Sequence, residues 1–240
     1  MPPRRFFHPH LSAGTIGLSA DESHHAATAL RAREGDEVVL FDGAGREAAG
    51  RITRITRHTV HVEVGEIESF PFELSRRITL AVAPPKTQRQ HYMIEKCTEL
   101  GVAAIWPVLT ERGVTRPTAA ALDKWRRRAI EAAKQAQRHW LPAIEGPQAI
   151  DACLGRCGDF DAVAITDIGV ANRSFHAMLA ETPPGGSMLV LIGPEGGWTG
   201  PERDIARAAG ARPVSVSPTV LRVETAAVAV CAAVALHSTA

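Results

Sequence analysis

Three groups of residues carry the chemistry that this sequence can do. The first is Leu189–Val190–Leu191–Ile192–Gly193–Pro194–Glu195–Gly196–Gly197–Trp198, a short apolar run that opens into a loop made largely of backbone. Glycines there let main-chain N–H and C=O groups approach a ligand closely. Thr199–Gly200–Pro201–Glu202 follows as a helix start, with proline in the first turn and an acid behind it. Strand, glycine loop, helix is an arrangement that binds ligands at a strand's carboxyl end, although a tight turn with no ligand would look the same. The loop has no Gly-Lys-Ser/Thr ending and not the dinucleotide spacing, so it is neither a P-loop nor a Rossmann fingerprint. Backbone recognition of an uncharged nucleoside group such as adenosine stays open. The second group is Arg222 and Glu224, at the start of an apolar helix over Ala227–Leu236 and just beyond a short strand over Pro213–Ser217. A helix N-terminus favours the Glu224 carboxylate, and the pair reads equally as a surface ion pair with a helix cap. The third is basic. Lys124, Arg126, Arg127, Arg128, Lys134 and Arg138 crowd one helix expected from Asp123 to Arg138, a solvated face or an RNA contact.

Several elements must position these groups. Ile78–Ala83, Ala103–Leu109, Ala162–Thr166, the Leu189 run and the Val214 segment read as buried strands. Between them lie helices over Gln90–Leu100, ended by Gly101, and over Phe175–Ala180. That alternation predicts a parallel sheet covered by helices. The loop Pro84–Arg89 follows the first of these strands. Residues 1–72 read differently. Ala20–Ser23 caps a helix to about Ala32, Val38–Phe41 is a strand, and Asp42–Gly45 is a hairpin turn. Glu47–Ile55 and Thr59–Val64 alternate as half-buried strands, giving a small β-barrel. Arg46, Arg51, Arg54 and Arg57 on them form a solvated strand face or a phosphate-contacting stripe, beside Asp36, Glu37, Glu63 and Glu66. Phe70–Pro71–Phe72 marks the boundary, dividing the chain into 1–72 and 73–240.

Composition narrows the classes. The 240 residues are 45% hydrophobic, enough for one large or two small folded cores. Lys+Arg of 27 against Asp+Glu of 26 leaves no global basic bias, so any nucleic-acid role rests on local patches. No signal peptide is recognisable, and Ala226–Leu236 is too short for a membrane span. Cys153 and Cys157 have no second pair to complete a zinc site, so no metal is expected and the four cysteines read as reduced thiols of a cytoplasmic protein. His8, His10, His24 and His25 cluster early and read as ordinary surface residues.

Ile192–Gly193–Pro194–Glu195–Gly196–Gly197 followed by Leu221–Arg222–Val223–Glu224–Thr225–Ala226 resembles the RsmE family of small-subunit rRNA (uracil-N3)-methyltransferases, in the SPOUT superfamily. The likeness extends through Arg4–Phe7, His25 with Leu30–Arg31, Pro85–Lys86, Arg89, Glu95–Val102, Glu111–Arg112, Gln135–Arg138 and Pro142. It implies an α/β SPOUT domain with a C-terminal trefoil knot, behind an N-terminal PUA-like barrel. It implies S-adenosylmethionine as cofactor, 16S rRNA within the small ribosomal subunit as partner, and a homodimer packed through the alanine-rich last helix. By this resemblance the cofactor pocket takes Thr166, Leu191, Ile192, Gly193, Pro194, Glu195, Gly196, Gly197, Val216, Ser217, Leu221 and Arg222. RNA contacts fall to Arg4, Arg5, Arg31, Lys86, Arg89, Arg112 and Arg138. Arg222 is the expected catalytic cation for charge on the uracil oxygens, with Glu224 orienting it or taking the N3 proton. Gly113 and Lys134–Gln135 depart from the family's usual polar residue and acidic-Gln pair, on the substrate side. Ribose 2'-O-methylation, or a non-catalytic RNA-binding role in ribosome assembly, are the competing readings.

Overall fold

The computed structural model describes residues 3–167, 169 and 173–238, with only the backbone of Thr87. Two compact units divide it: one runs to Glu73 and includes Ala133–Leu141, the other holds Leu74–Ala132 and the chain from Pro142 onward.

The first unit is built on strands β1 (Arg4–Phe7) and β2 (Gly14–Gly17), helix α1 (Ala20–His24), and strands β3 (Glu37–Phe41), β4 (Arg46–Ile55) and β5 (Val60–Ser69). They form one mixed sheet in the order β1-β3-β4-β5-β2, with β1 parallel to β3 and the rest antiparallel. Inward residues Phe6, Leu40, Ile52, Val60 and Val62 make its core. The helix is capped by Ser19, one residue earlier than the sequence suggests, and passes into a π-turn over His25–Ala29 that ends it at Leu30. Arg46, Arg51 and Arg54 do not share one strand parity, yet all three are exposed. The register shift between Ile52 and Arg54 adds a residue to β4 and resets its alternation there, whereas the shift between Ala48 and Gly50 places its extra residue on β5.

The segment Ala133–Leu141 belongs to this unit because the β3–β4 turn is shaped for it. Gly43 and Gly45 have φ of 71° and 90°, and a Cβ at Gly45 would lie 2.5 Å from Trp140. The Trp140 indole donates to the carbonyls of Phe70 and Pro71, and His139 stacks on Phe70. Two cations expected at an RNA surface are buried here instead. Arg5 donates to Glu47 at 2.6 Å and to the Arg138 carbonyl; Arg138 donates to Glu73 at 2.9 Å. Each side chain keeps under a tenth of its surface. A guanidinium so placed is held in this unit's interior by its carboxylate partners and is not free to meet a phosphate.

The second unit contains strand β6 (Arg77–Val82), helix α2 (Thr87–Glu99), strand β7 (Ala104–Leu109), helix α3 (Ala119–Gln135), short strands β8 (Ala143–Ile144) and β9 (Gln148–Ala149), and helix α4 (Ile150–Leu154). Then come β10 (Ala162–Thr166), α5 (Phe175–Glu181), β11 (Ser187–Ile192), α6 (Gly200–Ala208), β12 (Arg212–Val214) and α7 (Val223–Ser238). The sheet is wholly parallel in the order β12-β10-β11-β6-β7-β8, with β9 also on β7. Strand periodicity sorts its side chains to two faces. Ile78, Leu80, Val82, Val190 and Ile192 pack under α2, α3, α5 and α7. Ala81, Val163, Ile165, Leu189 and Leu191 pack under α4 and α6. Both faces are covered, so the strands read as unbroken apolar runs.

Boundaries differ from the sequence reading where short polar segments were ambiguous. Helix α2 begins at Thr87, so Arg89 lies in its first turn and not in a loop. Helix α3 starts at Ala119 and stops at Gln135, with Gln137 at a φ of 55°. Strand β12 stops at Val214, which releases Ser215–Ser217 into a loop. All four cysteines are free and buried. Burial pushes the Cys153 thiol up to about 11 against the opposing pull of Arg156, and raises Cys157. A hydrogen bond with Cys231, then burial, raises Cys97. A thiol this far from its thiolate is inert, so native protein at pH 8 is expected to consume almost no Ellman's reagent, and all four cysteines should react in denaturant. Fast reaction of the native protein would contradict this packing.

Candidate functional site

A cleft opens at the carboxyl ends of β10, β11 and β12, three adjacent parallel strands. Thr166 and Asp167 line it from β10, Ile192–Glu195, Gly197 and Trp198 from β11, and Val214–Ser217 with Thr219–Leu221 from β12. Val223 and Ala226 close it from α7 and Arg203 from α6. Nine of the twelve expected pocket residues are therefore among the lining residues. Leu191 is fully buried in its strand, and Gly196, exposed in the loop, and Arg222 are outside the lining. Of the loop after Ile165, residues 168 and 170–172 lie outside the described residues. Asp167, Arg203 and Ser215 are members that the sequence does not single out, and Trp198 is one that it places in the loop but not among the pocket residues.

The glycines have separate reasons. A β-turn from Pro194 is closed by the Gly197 N–H on the Pro194 carbonyl at 2.8 Å, with Gly197 at a φ of 68°. Gly193 is required by contact: an added Cβ would meet the Trp198 ring at 2.8 Å. Trp198 is buried, and its indole donates to the Thr166 carbonyl at 3.0 Å, tying the β11 loop to the end of β10. Gly196 is packed by the Arg112 side chain, which donates to its carbonyl at 2.9 Å. Arg112, expected on RNA, thus also braces the loop. Behind it, Thr199 and Glu202 form a capping box on α6 with Pro201 in the first turn. Glu202 is buried and also accepts the Glu111 N–H at 2.9 Å, fixing the segment after β7 to the same corner.

The charges are few and mostly paired. Arg203 is the single cation in the lining among the described residues, and its Nε meets Asp167 at 2.5 Å. Glu195 is the other charge in the lining; the rest of the wall is main chain, apolar side chains and the hydroxyls of Thr166, Ser215, Ser217 and Thr219, which suits a neutral nucleoside. Arg89, from the first turn of α2, lies between two carboxylates, 3.3 Å from Glu195 and 3.5 Å from Glu224. Glu224 is 7% exposed, and its second oxygen is buried without a hydrogen-bond partner among the described residues.

Glu224 does not orient Arg222, contrary to expectation. Residues two apart at a helix start point to opposite sides. Glu224 turns inward to Arg89. Arg222 caps α7 with its carbonyl, which accepts the Ala226 N–H at 2.8 Å, and holds its side chain exposed without a bond to any described residue. Of the other expected RNA contacts, Lys86 is exposed at the N-cap of α2. Arg31 is exposed at a φ of 49°, and Arg4 pairs with Asp36 at 2.5 Å.

Residues 72–235 match the model of an RNA methyltransferase domain, and residues 18–65 that of an RNA methyltransferase PUA domain. The ribosomal RNA small subunit methyltransferase E of Synechocystis is 32% identical over 213 residues, covering 88% of this chain and 70% of the relative. The chain belongs to the ribosomal RNA small subunit methyltransferase E family. Among solved structures, the family's Neisseria gonorrhoeae protein bound to S-adenosyl methionine superposes with a TM-score of 0.83 at 30% identity, covering 96% of both chains. A Legionella pneumophila methyltransferase in complex with SAM gives 0.90 at 27% identity, covering 99% of this chain and 98% of that one. The family's fold, a parallel sheet and a PUA-type unit, is the one described above.

Proposed function

We propose that this chain is an S-adenosylmethionine-dependent enzyme that methylates N3 of a uridine in 16S rRNA of the small ribosomal subunit. The observation that carries the reading is the backbone-rich cleft at the ends of β10–β12, with Arg222, unpaired among the described residues, beside it, in a chain of this family. The residues fit the cofactor. Main chain of the glycine loop and the Val214–Ser217 segment would hold an uncharged adenosine; the two carboxylates of the lining, Asp167 and Glu195, are paired with Arg203 and Arg89. When bound, S-adenosylmethionine supplies an electrophilic methyl group.

The chain's own task is positioning and charge. Methylation at N3 removes the uracil N–H, and negative charge spreads onto O2 and O4. A fixed cation aimed at those oxygens lowers the barrier, and Arg222 is the exposed guanidinium next to the pocket loop. Glu224, buried on Arg89, serves as a positioning residue for that arginine and through it for the Glu195 loop. The trefoil knot, the cytoplasmic setting and a homodimer are parts of the same reading. Exposed Leu236 on α7 and Val220 before it are apolar surface that a second copy would cover.

Gly193→Ala is expected to lower S-adenosylmethionine affinity about tenfold, because a Cβ at that place pushes the Trp198 ring and overpacking costs roughly 1–3 kcal/mol. Calorimetric titration with the cofactor checks it, and unchanged affinity would show that the ring gives way freely. The reading as a whole is tested by methyl transfer from labelled S-adenosylmethionine to small subunits lacking the modification, beside free rRNA and tRNA. N3-methyluridine in the digest supports it. A ribose-methylated nucleoside sinks the specificity, and no transfer with no cofactor binding sinks the enzyme.

A further inference from the structure

Helix α3 carries two stripes. Leu122, Trp125, Ala129 and Ala132, at helical spacing, are buried against the sheet. Lys124, Arg127, Arg128 and Glu131 recur at the same spacing on another face and line a cleft whose far wall is His91 of α2. The Trp125 indole donates to Gln90, and Gln90 in turn donates to the Pro85 carbonyl, so the two walls are held by buried bonds. The cleft shares no residue with the cofactor pocket.

The charge in it is not what folding alone selects. Lys124 lies four residues from Arg128, a spacing at which like charges destabilise a helix, while Arg127 is spaced four from Asp123 and from Glu131. The carboxylates facing the cleft are Glu131 and, through Arg128 at 3.4 Å, Glu95, which Lys96 also claims at 3.0 Å. Lys124 and Arg127 are exposed and make no bond with a described residue. The chain as a whole is nearly neutral, at a net charge of +1. A basic groove with an uncompensated edge in such a chain is a local device, and its chemistry is that of a phosphodiester receptor. Lys134 and Arg138, which the sequence groups with these cations, are buried elsewhere and take no part.

We propose that the α2–α3 cleft is a second RNA-binding site, in which Lys124, Arg127 and Arg128 hold the phosphate backbone of the substrate RNA apart from the nucleotide being methylated. The proposal rests on the RNA-methylation reading above and names which surface fixes the RNA's position. Contacts of this type add affinity without reading sequence.

The test uses the full chain as Lys124→Glu/Arg127→Glu, with Lys124→Gln/Arg127→Gln as a milder pair should the first fold poorly. A control pair, Arg207→Glu/Arg212→Glu, makes the same charge change at exposed positions on α6 and β12. Methyl transfer to small subunits is measured across salt concentrations, together with S-adenosylmethionine binding. The expected result is a KM for RNA raised about tenfold or more, a log–log salt slope smaller by about 1.5–2, and unchanged cofactor binding. The control pair should leave KM nearly unchanged, and Lys124→Arg should behave as wild type. Unchanged KM and slope in the glutamate pair, while the wild type methylates, overturns the cleft and leaves the function intact. Equal losses in the control pair reduce the effect to overall charge and also overturn the cleft. A wild type that neither methylates nor binds RNA removes the function and the cleft together.

Discussion

Replacing Lys134 with methionine is expected to destabilise the first unit by roughly 3–5 kcal/mol, the cost of removing one partner of a buried ion pair. The Lys134 ammonium lies 3.1 Å from both oxygens of Glu22, and the two side chains are only 6% and 8% exposed. The methionine leaves a carboxylate in a dry place without its ammonium. Removing both charges together, as Glu22→Leu/Lys134→Met, is expected to restore stability to within about 1–2 kcal/mol of wild type, because the desolvation cost disappears with the attraction. Urea unfolding followed by Trp140, which belongs to this unit, is the measurement. At m-values of about 1–3 kcal/mol/M the single variant should lose about 1–5 M in midpoint. Equal loss in the single and double variants would mean that shape, and not charge, holds the segment Ala133–Leu141 in place.

Arg222→Ala is expected to lower kcat about 10²–10³-fold with S-adenosylmethionine affinity unchanged, the range for removing one charge-stabilising donor, about 2.7–4 kcal/mol. The split follows from the geometry: Arg222 is outside the cofactor lining, and its side chain has no structural bond to lose among the described residues. Arg222→Lys should recover part of the rate, since a cation remains but without the guanidinium's paired donors. A variant that loses cofactor binding and keeps its rate at saturation would move Arg222 from catalysis to the pocket. Glu224→Gln provides the contrast. It leaves Arg89 with Glu195 alone, and its effect should be reversed only by a residue that restores the pair with Arg89, not by any change at Arg222.

The candidate site was legible in the sequence to the extent that it is made of backbone. The glycine loop announces itself because Gly197 needs a left-handed φ and Gly193 must yield to a ring, and no other residue serves there. The identity of that ring, Trp198 five residues on, was in plain view, but its bond to Thr166 joins residues 32 apart and no local pattern encodes it. The charged residues were the least legible. A sequence gives an arginine's type and not its partner, so Arg5 and Arg138 look like Arg222 until burial separates them.

What the sequence determined by itself is the alternation of apolar strands with amphipathic helices, hence the parallel sheet, and the turn chemistry at Asp42–Gly45, Gly101 and Thr199–Glu202, because these depend on contacts within a few residues. Only the tertiary structure decided the rest. It set the order β12-β10-β11-β6-β7, which gathers three strand ends around one cleft. It assigned Ala133–Leu141 to the first unit. It also chose which cations are buried and which face water. Those outcomes depend on burial, and burial is a property of elements distant in sequence that meet only when the chain has folded.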